Sequence, residues 1–222
     1  MRSRATRRFD LIVFDWDGTL ADSTAPIVYA MKEACRDLGL RVPGDVAARH
    51  VIGLGVVDAM KYVAPELPAS RYPEFGARYG HHYLAREADI PLFSGARELL
   101  ADLEAAGFLL AVATGKSRTG LARMLENFGL EHAFDATRCA DEGLPKPHPD
   151  MLLHLIDRLA VEPQATLMIG DTTHDLDLAR NAGARAVAVT YGAHPPAELQ
   201  RWAPLAVVDS MPELREWLER NA

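Results

Sequence analysis

Cysteine is nearly absent from this 222-residue chain: only Cys35 and Cys139 occur, far apart and in no CxxC or Cys/His arrangement. That excludes a disulfide framework and a zinc site, and a reducing compartment fits best, so the expected location is the cytoplasm. Long apolar runs are missing as well. No stretch approaches the roughly 18 uninterrupted apolar residues of a membrane helix, so no membrane partner is expected. A basic excess is also lacking, because 24 Lys and Arg face 31 Asp and Glu for a net charge of -7. Nucleic acid as the main partner is thereby disfavoured, since a phosphate backbone demands a basic footprint. Arg2, Arg4, Arg7 and Arg8 precede FDLIVFD rather than an apolar signal region, and read as a frayed basic tail. Internal repeats and low-complexity tracts are absent.

What is present is ordinary globular material, 49% hydrophobic and 25% charged, enough to bury one full core at this length. Short β-branched or apolar runs recur: DLIVF at 10–14, LLAVAT at 109–114, ATLMIGD at 165–171, ARAVAVT at 184–190 and LAVVD at 205–209. Each reads as a strand buried on both faces. Between them lie helical segments with start signals at Ser94, Ser117, Pro149 and Thr172/Thr173, and with Gly107, Gly129 and Gly183 at the expected C-caps. Strands alternating with such helices predict an α/β fold with a doubly wound, Rossmann-like parallel sheet.

Residues 22–91 break the rhythm. They carry helical spacing instead, first at Ile27, Ala30, Met31, Ala34 and Leu38 and then in the aromatic series Tyr72, Phe75, Tyr79 and Tyr83. A small helical insert is predicted there, with core segments 8–21 and 92–222 on either side. Its aromatic stripe is expected to form its own small core, without a catalytic role. Linkers near 20–24 and 88–93 would permit a hinged lid.

In doubly wound sheets ligands bind at the carboxyl ends of the strands. Here the predicted strands run into Asp15-Trp16-Asp17-Gly18-Thr19, into Thr114-Gly115-Lys116 and into Gly170-Asp171-Thr172-Thr173-His174-Asp175, while Lys146 sits between Pro145 and Pro147. Each fragment alone could be a turn, a cap or a surface lysine. Together they bring carboxylates, a hydroxyl and an ammonium to one crevice. Converging carboxylates repel, and a hard divalent cation, magnesium, is the natural compensation. Lysine, hydroxyl and free backbone N–H groups beside it suit a phosphate dianion.

DWDGT, ATGK, the KP of PKPHP and GDTTHD, in this order, resemble the four motifs of the haloacid dehalogenase superfamily. The insert falls where the superfamily's first subclass carries its cap, as in phosphoglycolate phosphatase-like enzymes, and VIGLG at 51–55 looks like the cap loop that enters the site. The resemblance implies roles. Asp15 is the nucleophile that forms an aspartyl-phosphate, and Asp17 is the general acid and then the base. Thr114 and Lys146 would bind and neutralise the phosphoryl group, helped by backbone N–H groups at Trp16 and Gly115. Magnesium would be held by the side chain of Asp15, the backbone carbonyl of Asp17 and the side chain of Asp171, with Asp175 in a second layer. Gly18 would keep the turn after the nucleophile open.

Lys116 is open between a solvated lysine and a contact to a distal anionic group. His174 is assigned to the helix start, and Arg49 and His50 are candidate specificity contacts. The expected substrate is a small phosphorylated metabolite, with 2-phosphoglycolate the first choice, and the expected state a monomer or homodimer. A phosphosugar mutase of the same superfamily and a silent phosphate-binding module are the alternatives. A dehalogenase is disfavoured because Asp17 is present.

Overall fold

The computed structural model describes residues 7–222, so Arg2 and Arg4 of the basic tail lie outside the described residues. Arg7 is not frayed. Its guanidinium lies over the Phe108 ring at 4.7 Å and donates to the Gly107 carbonyl at 2.8 Å.

Strand β1 (Leu11–Phe14) leads into four insert helices, α1 (Thr24–Asp37), α2 (Asp45–His50), α3 (Val56–Val63) and α4 (Tyr72–Glu87). The chain continues as α5 (Ala96–Ala105), β2 (Leu109–Thr114), α6 (Arg118–Phe128), β3 (Ala136–Cys139), α7 (Asp150–Leu159) and β4 (Thr166–Gly170). It ends with α8 (Thr173–Asn181), β5 (Arg185–Val189), α9 (Pro196–Arg201), β6 (Val207–Val208) and α10 (Met211–Asn221). The six strands form one parallel sheet in the order β3-β2-β1-β4-β5-β6. This is the predicted α/β architecture.

Side chains alternate across β1, and both faces are covered. Ile12 and Phe14 pack with Leu99, Leu110 and Leu121 on one side, Leu11 and Val13 with Met151, Leu155 and Leu178 on the other. All four β1 residues are fully buried, which explains an uninterrupted apolar run in place of an alternating one.

One strand escaped the sequence reading. β3 is the short ATRC at 136–139, with Thr137 and Arg138 only half-buried at the edge of the sheet. Helix starts follow local chemistry. The Ser117 hydroxyl accepts from Gly120 N at 3.2 Å, and Thr172 with Asp175 forms a reciprocal capping box. At α5 the cap is Gly95 at φ +89°, one residue past the predicted Ser94.

The insert helices share an apolar cluster of Met31, Ala34, Ala48, Val51, Met60 and Phe75, with Tyr72 and Tyr79 packed against it. The two connections to the rest of the chain run side by side. Asp22 N donates to Pro91 O and Phe93 N to Leu20 O, both at 2.9 Å.

Candidate active site

The sheet order places β1 between β2 and β4, so the crevice where the winding direction reverses opens beside Asp15 and Asp171. Phe14 pairs with Ile169, and Asp15 N donates to Ile169 O at 2.9 Å. The residue after each strand therefore emerges at the same level. Lys146 reaches in from the loop before α7 and lies 2.8 Å from Asp15 Oδ1 and 2.6 Å from Asp175 Oδ1. Asp15, Lys146, Asp171 and Asp175 are all essentially inaccessible to solvent.

Their satisfaction is unequal. Asp175 accepts from Lys146 Nζ on one oxygen and from Thr172 N and Oγ1 on the other. Asp171 accepts from Thr19 Oγ1 at 2.8 Å and from Ala193 N at 2.7 Å. Neither oxygen of Asp15 accepts an aligned hydrogen bond, so its one partner is the ammonium of Lys146. A buried carboxylate held by one ammonium and by no other donor is costly and marks a group kept for a task.

Burial pushes the Asp15 carboxyl well above the usual range; Lys146 opposes this, and Asp175 and Asp171 reinforce it. Asp171 is pushed up to about 7 by burial and by Asp175. Burial works against the Lys146 ammonium, yet Asp15 and Asp175 outweigh it and hold its pKa above the ordinary value.

Fully ionised, the three buried carboxylates would exceed the one ammonium by two charges, a surplus that a cation would relieve. Asp15, Asp171 and Asp175 offer oxygens within 4.8 Å of one another. The donor set is all oxygen, so a hard divalent cation fits it. Asp175 accepts three hydrogen bonds and Asp171 two, against none aligned on Asp15, so Asp15 keeps the most acceptor capacity for such an ion. Gly18, at φ +84°, belongs to the same packing, because a Cβ there would fall 2.3 Å from Asp171 Oδ2.

Asp17 stands apart from that cluster. Its Oδ1 accepts from Ser23 Oγ at 2.6 Å and lies 3.1 Å from Lys116 Nζ. Lys116 also donates to the Tyr83 hydroxyl at 2.8 Å and sits over the Tyr83 ring. The solvated-lysine reading of Lys116 is therefore wrong, since its side chain is 9% exposed and bound to Asp17. The expectation for Tyr83 also needs correction, because α4 turns its hydroxyl toward the Lys116–Asp17 pair. Thr114 is fully buried at the end of β2, its Oγ1 accepting from Lys116 N at 3.2 Å. Trp16 is fully buried with its ring against Phe128.

The loop at 51–55 comes down on this end of the sheet. A Cβ on Gly115 would meet Gly53 O at 2.7 Å, and one on Gly55 would meet Pro145 Cβ at 3.0 Å. Only a residue without a side chain allows Gly115 so close to the loop. Just before it, the His50 carbonyl accepts from His174 Nε2 at 2.7 Å and from His194 Nε2 at 3.1 Å. His194 Nδ1 accepts from Thr173 N at 3.1 Å, which fixes the proton on Nε2. Burial lowers the pKa of both imidazoles, His174 to about 4.

His174 thus does more than start a helix. It fastens the insert to the sheet. Arg49 Nη1 lies 3.5 Å from Gly192 O and the His50 ring stacks on that of His194, which is where the structure places these two candidate specificity residues. Sequence reasoning missed Thr19, Ser23, Tyr83 and His194. Thr19 and Ser23 lie close to Asp17 in the chain, while His194 carries no local signal.

The sequence profile of the haloacid dehalogenase-like hydrolases matches residues 12–189. The chain is 38% identical over 210 residues to a Dickeya dadantii protein named "Probable phosphatase IndB", covering 92% of this chain and 91% of that one. It is 28% identical to a protein named phosphoglycolate phosphatase from Nitrosococcus oceani, covering 96% and 98% of the two chains. The crystal structure of a hydrolase from Pseudomonas syringae superposes with a TM-score of 0.88 at 24% identity, covering 96% of this chain and 99% of that one, a likeness of fold.

Proposed function

The chain belongs to the haloacid dehalogenase-like hydrolases, and from that premise we propose that it is a magnesium-dependent phosphatase of a phosphomonoester, working through an aspartyl-phosphate on Asp15. The observation that carries this reading is the fully buried Asp15, whose oxygens accept no hydrogen bond while Lys146 stands 2.8 Å away. Such a carboxylate is free to attack phosphorus, and hydrolysis is split into two displacements.

Each residue has a task in this scheme. Lys146, held by Asp175, neutralises charge on the phosphoryl oxygens and lets one anion approach another. Thr114 and the backbone N–H groups of Trp16 and Gly115 complete the phosphate cradle. Asp17, positioned by Ser23 and Lys116, gives a proton to the leaving oxygen and later takes one from the attacking water. Magnesium would be held by Asp15, Asp171 and the Asp17 carbonyl, and when bound it supplies charge neutralisation to the phosphoryl group. The helices of residues 22–91 act as a cap over the site. His174 and His194 hold that cap at the His50 carbonyl while water is excluded.

Phosphate release from a panel of esters that includes 2-phosphoglycolate, the first choice from resemblance, tests the reading. Release should require magnesium, stop with EDTA, and vanish in Asp15→Asn. Conversion of a hexose 1-phosphate to its 6-phosphate without release would replace the phosphatase by a mutase.

A further inference from the structure

Beside Asp17, on the side away from Asp15 and Lys146, a cleft of about 280 Å³ runs between the insert helices and the start of α6. Most of its wall is apolar, and Ile27, Met31, Leu54, Met60, Phe75 and Tyr79 belong to it. Four charged residues also border it, Asp17, Glu87, Lys116 and Arg123. Each of the two cations is already committed: Lys116 lies 3.1 Å from Asp17, and Arg123 grips the buried Glu87 through Nε at 2.8 Å and Nη2 at 3.1 Å. Among the described lining residues, no cation is left unpaired to meet a second anionic group on a substrate.

We propose that the alcohol half of the substrate is an uncharged, apolar group that fills this cleft, so that the enzyme acts on phosphomonoesters of aryl or arylalkyl size in preference to 2-phosphoglycolate. The proposal rests on the phosphatase reading and sharpens it. Position argues for it first. Asp17, the proposed donor to the leaving oxygen, borders the cleft, while Asp15, Lys146 and Asp171 do not. A phosphoryl group held at the strand ends therefore directs its alcohol past Asp17 into the apolar space.

Size argues for it next, because an apolar cavity of about 150 Å³ already accepts benzene. The free carboxylate on 2-phosphoglycolate would meet a mostly apolar wall in which the two cations already hold Asp17 and Glu87, so it would have no counter-charge of its own. Displacing Arg123 to meet it would strand the buried Glu87, and moving Lys116 would break its contacts with Asp17 and the Tyr83 hydroxyl.

Primary alkyl esters of matched leaving-group chemistry separate the effect of the cleft from intrinsic reactivity. Catalytic efficiency, kcat/KM, should be higher for 2-phenylethyl phosphate than for ethyl phosphate or for 2-phosphoglycolate by about 30-fold or more, as burial of a phenyl group implies. Gly80 on α4 lines the same cleft, and a Cβ there meets nothing within 4 Å. Gly80→Phe should fill the space and cut the phenylethyl-to-ethyl ratio at least tenfold. A ratio below about threefold in the wild type, or a preference for 2-phosphoglycolate, overturns the proposal and leaves the phosphatase standing.

Calorimetry with the non-hydrolysable 2-phenylethylphosphonate gives an independent readout, in which binding should carry a negative heat-capacity change. Should this phosphonate bind in that way while no ester releases phosphate, the cleft assignment survives and the phosphatase reading falls. Absence of both overturns both.

Discussion

Two polar centres lie within this structure, and they are built in opposite ways. The strand-end cluster of Asp15, Lys146, Asp171 and Asp175 is fully buried, comes from the strand-end loops and the first turn of α8, and sets three carboxylates against one ammonium. The contact between insert and sheet, made by His50, His174 and His194 and by Tyr83, Lys116 and Asp17, draws on both bodies; the His contacts run through neutral donors and acceptors, and the Lys116 ammonium is shared between the Tyr83 hydroxyl and Asp17 in one balanced ion pair. A centre that stores excess charge is poised for a ligand that cancels it. A balanced centre is poised to open and close.

That contrast can be broken most severely at Asp15. Asp15→Asn should lower phosphate release by about 10⁴-fold or more, because the nucleophile is gone. In EDTA the same variant should be more stable than wild type, since it removes a buried carboxylate whose ionisation burial opposes. A rise in Tm of about 2–4 °C corresponds to roughly 1 kcal/mol at this chain length. A drop in Tm would show that Asp15 is well satisfied in the folded state, contrary to its lack of donors.

Lys146→Met should do the reverse to stability. Asp15 and Asp175 would lose their only ammonium in a fully buried site, at a cost of about 3–5 kcal/mol, together with loss of turnover. Urea unfolding measures it. If Asp15 and Asp171 store excess charge as described, Lys146→Met combined with Asp15→Asn should recover part of the loss.

Legibility in the sequence follows the same division. Asp15, Asp171 and Lys146 could be named in advance because each abuts a strand or a proline and because the motif order resembles a known superfamily. The sheet was equally open to reading, β1, β2, β4 and β5 being apolar on both faces, whereas β3 was not, since an edge strand containing Thr137 and Arg138 has no such run. The insert–sheet contact was largely hidden. Tyr83 belongs by spacing to an aromatic stripe, and only the packing of α4 reveals that its hydroxyl meets Lys116. His50 is separated from His174 and His194 by 124 and 144 residues where they meet, a coincidence that local patterns do not encode.

A smaller effect is expected on the balanced side, at Lys116. Lys116→Met keeps the length of the side chain and removes the charge beside Asp17. The kcat/KM of alkyl phosphates, which covers the steps up to the aspartyl-phosphate, should fall about 10- to 100-fold, within the range of general acid catalysis. For p-nitrophenyl phosphate, whose leaving group departs without a proton, the fall should be under threefold. Equal losses on both esters would mean that Lys116 acts on the phosphoryl group and not through Asp17.

The smallest effect, and the one that opposes the two centres within a single measurement, is the dependence of stability on pH. His174 has an ordinary value of 6.5 and is lowered to about 4 by burial. Its unfolded form therefore binds a proton that the folded form refuses. The stability associated with neutral His174 is present above pH 6.5 and is lost as pH falls toward 4, a change of about 2–3 kcal/mol. His194, also lowered, adds loss in the same direction.

Asp171 runs the other way. It is raised from 3.8 to about 7, so its cost is absent below pH 3.8 and grows as pH rises toward 7. Acidification of the metal-free protein from pH 7 to 4.5 thus weakens the insert contact while it relieves the strand-end cluster. Asp15, raised by the same burial, adds to that relief, so thermal unfolding of the wild type in EDTA should change little over this range. Asp171→Asn should tilt it toward loss on acidification, because part of the relief is gone, and His174→Asn should tilt it toward gain. If His174→Asn leaves the slope unchanged, the imidazole titrates in the folded state as it does in water, and the contact with the His50 carbonyl does not hold the insert to the sheet.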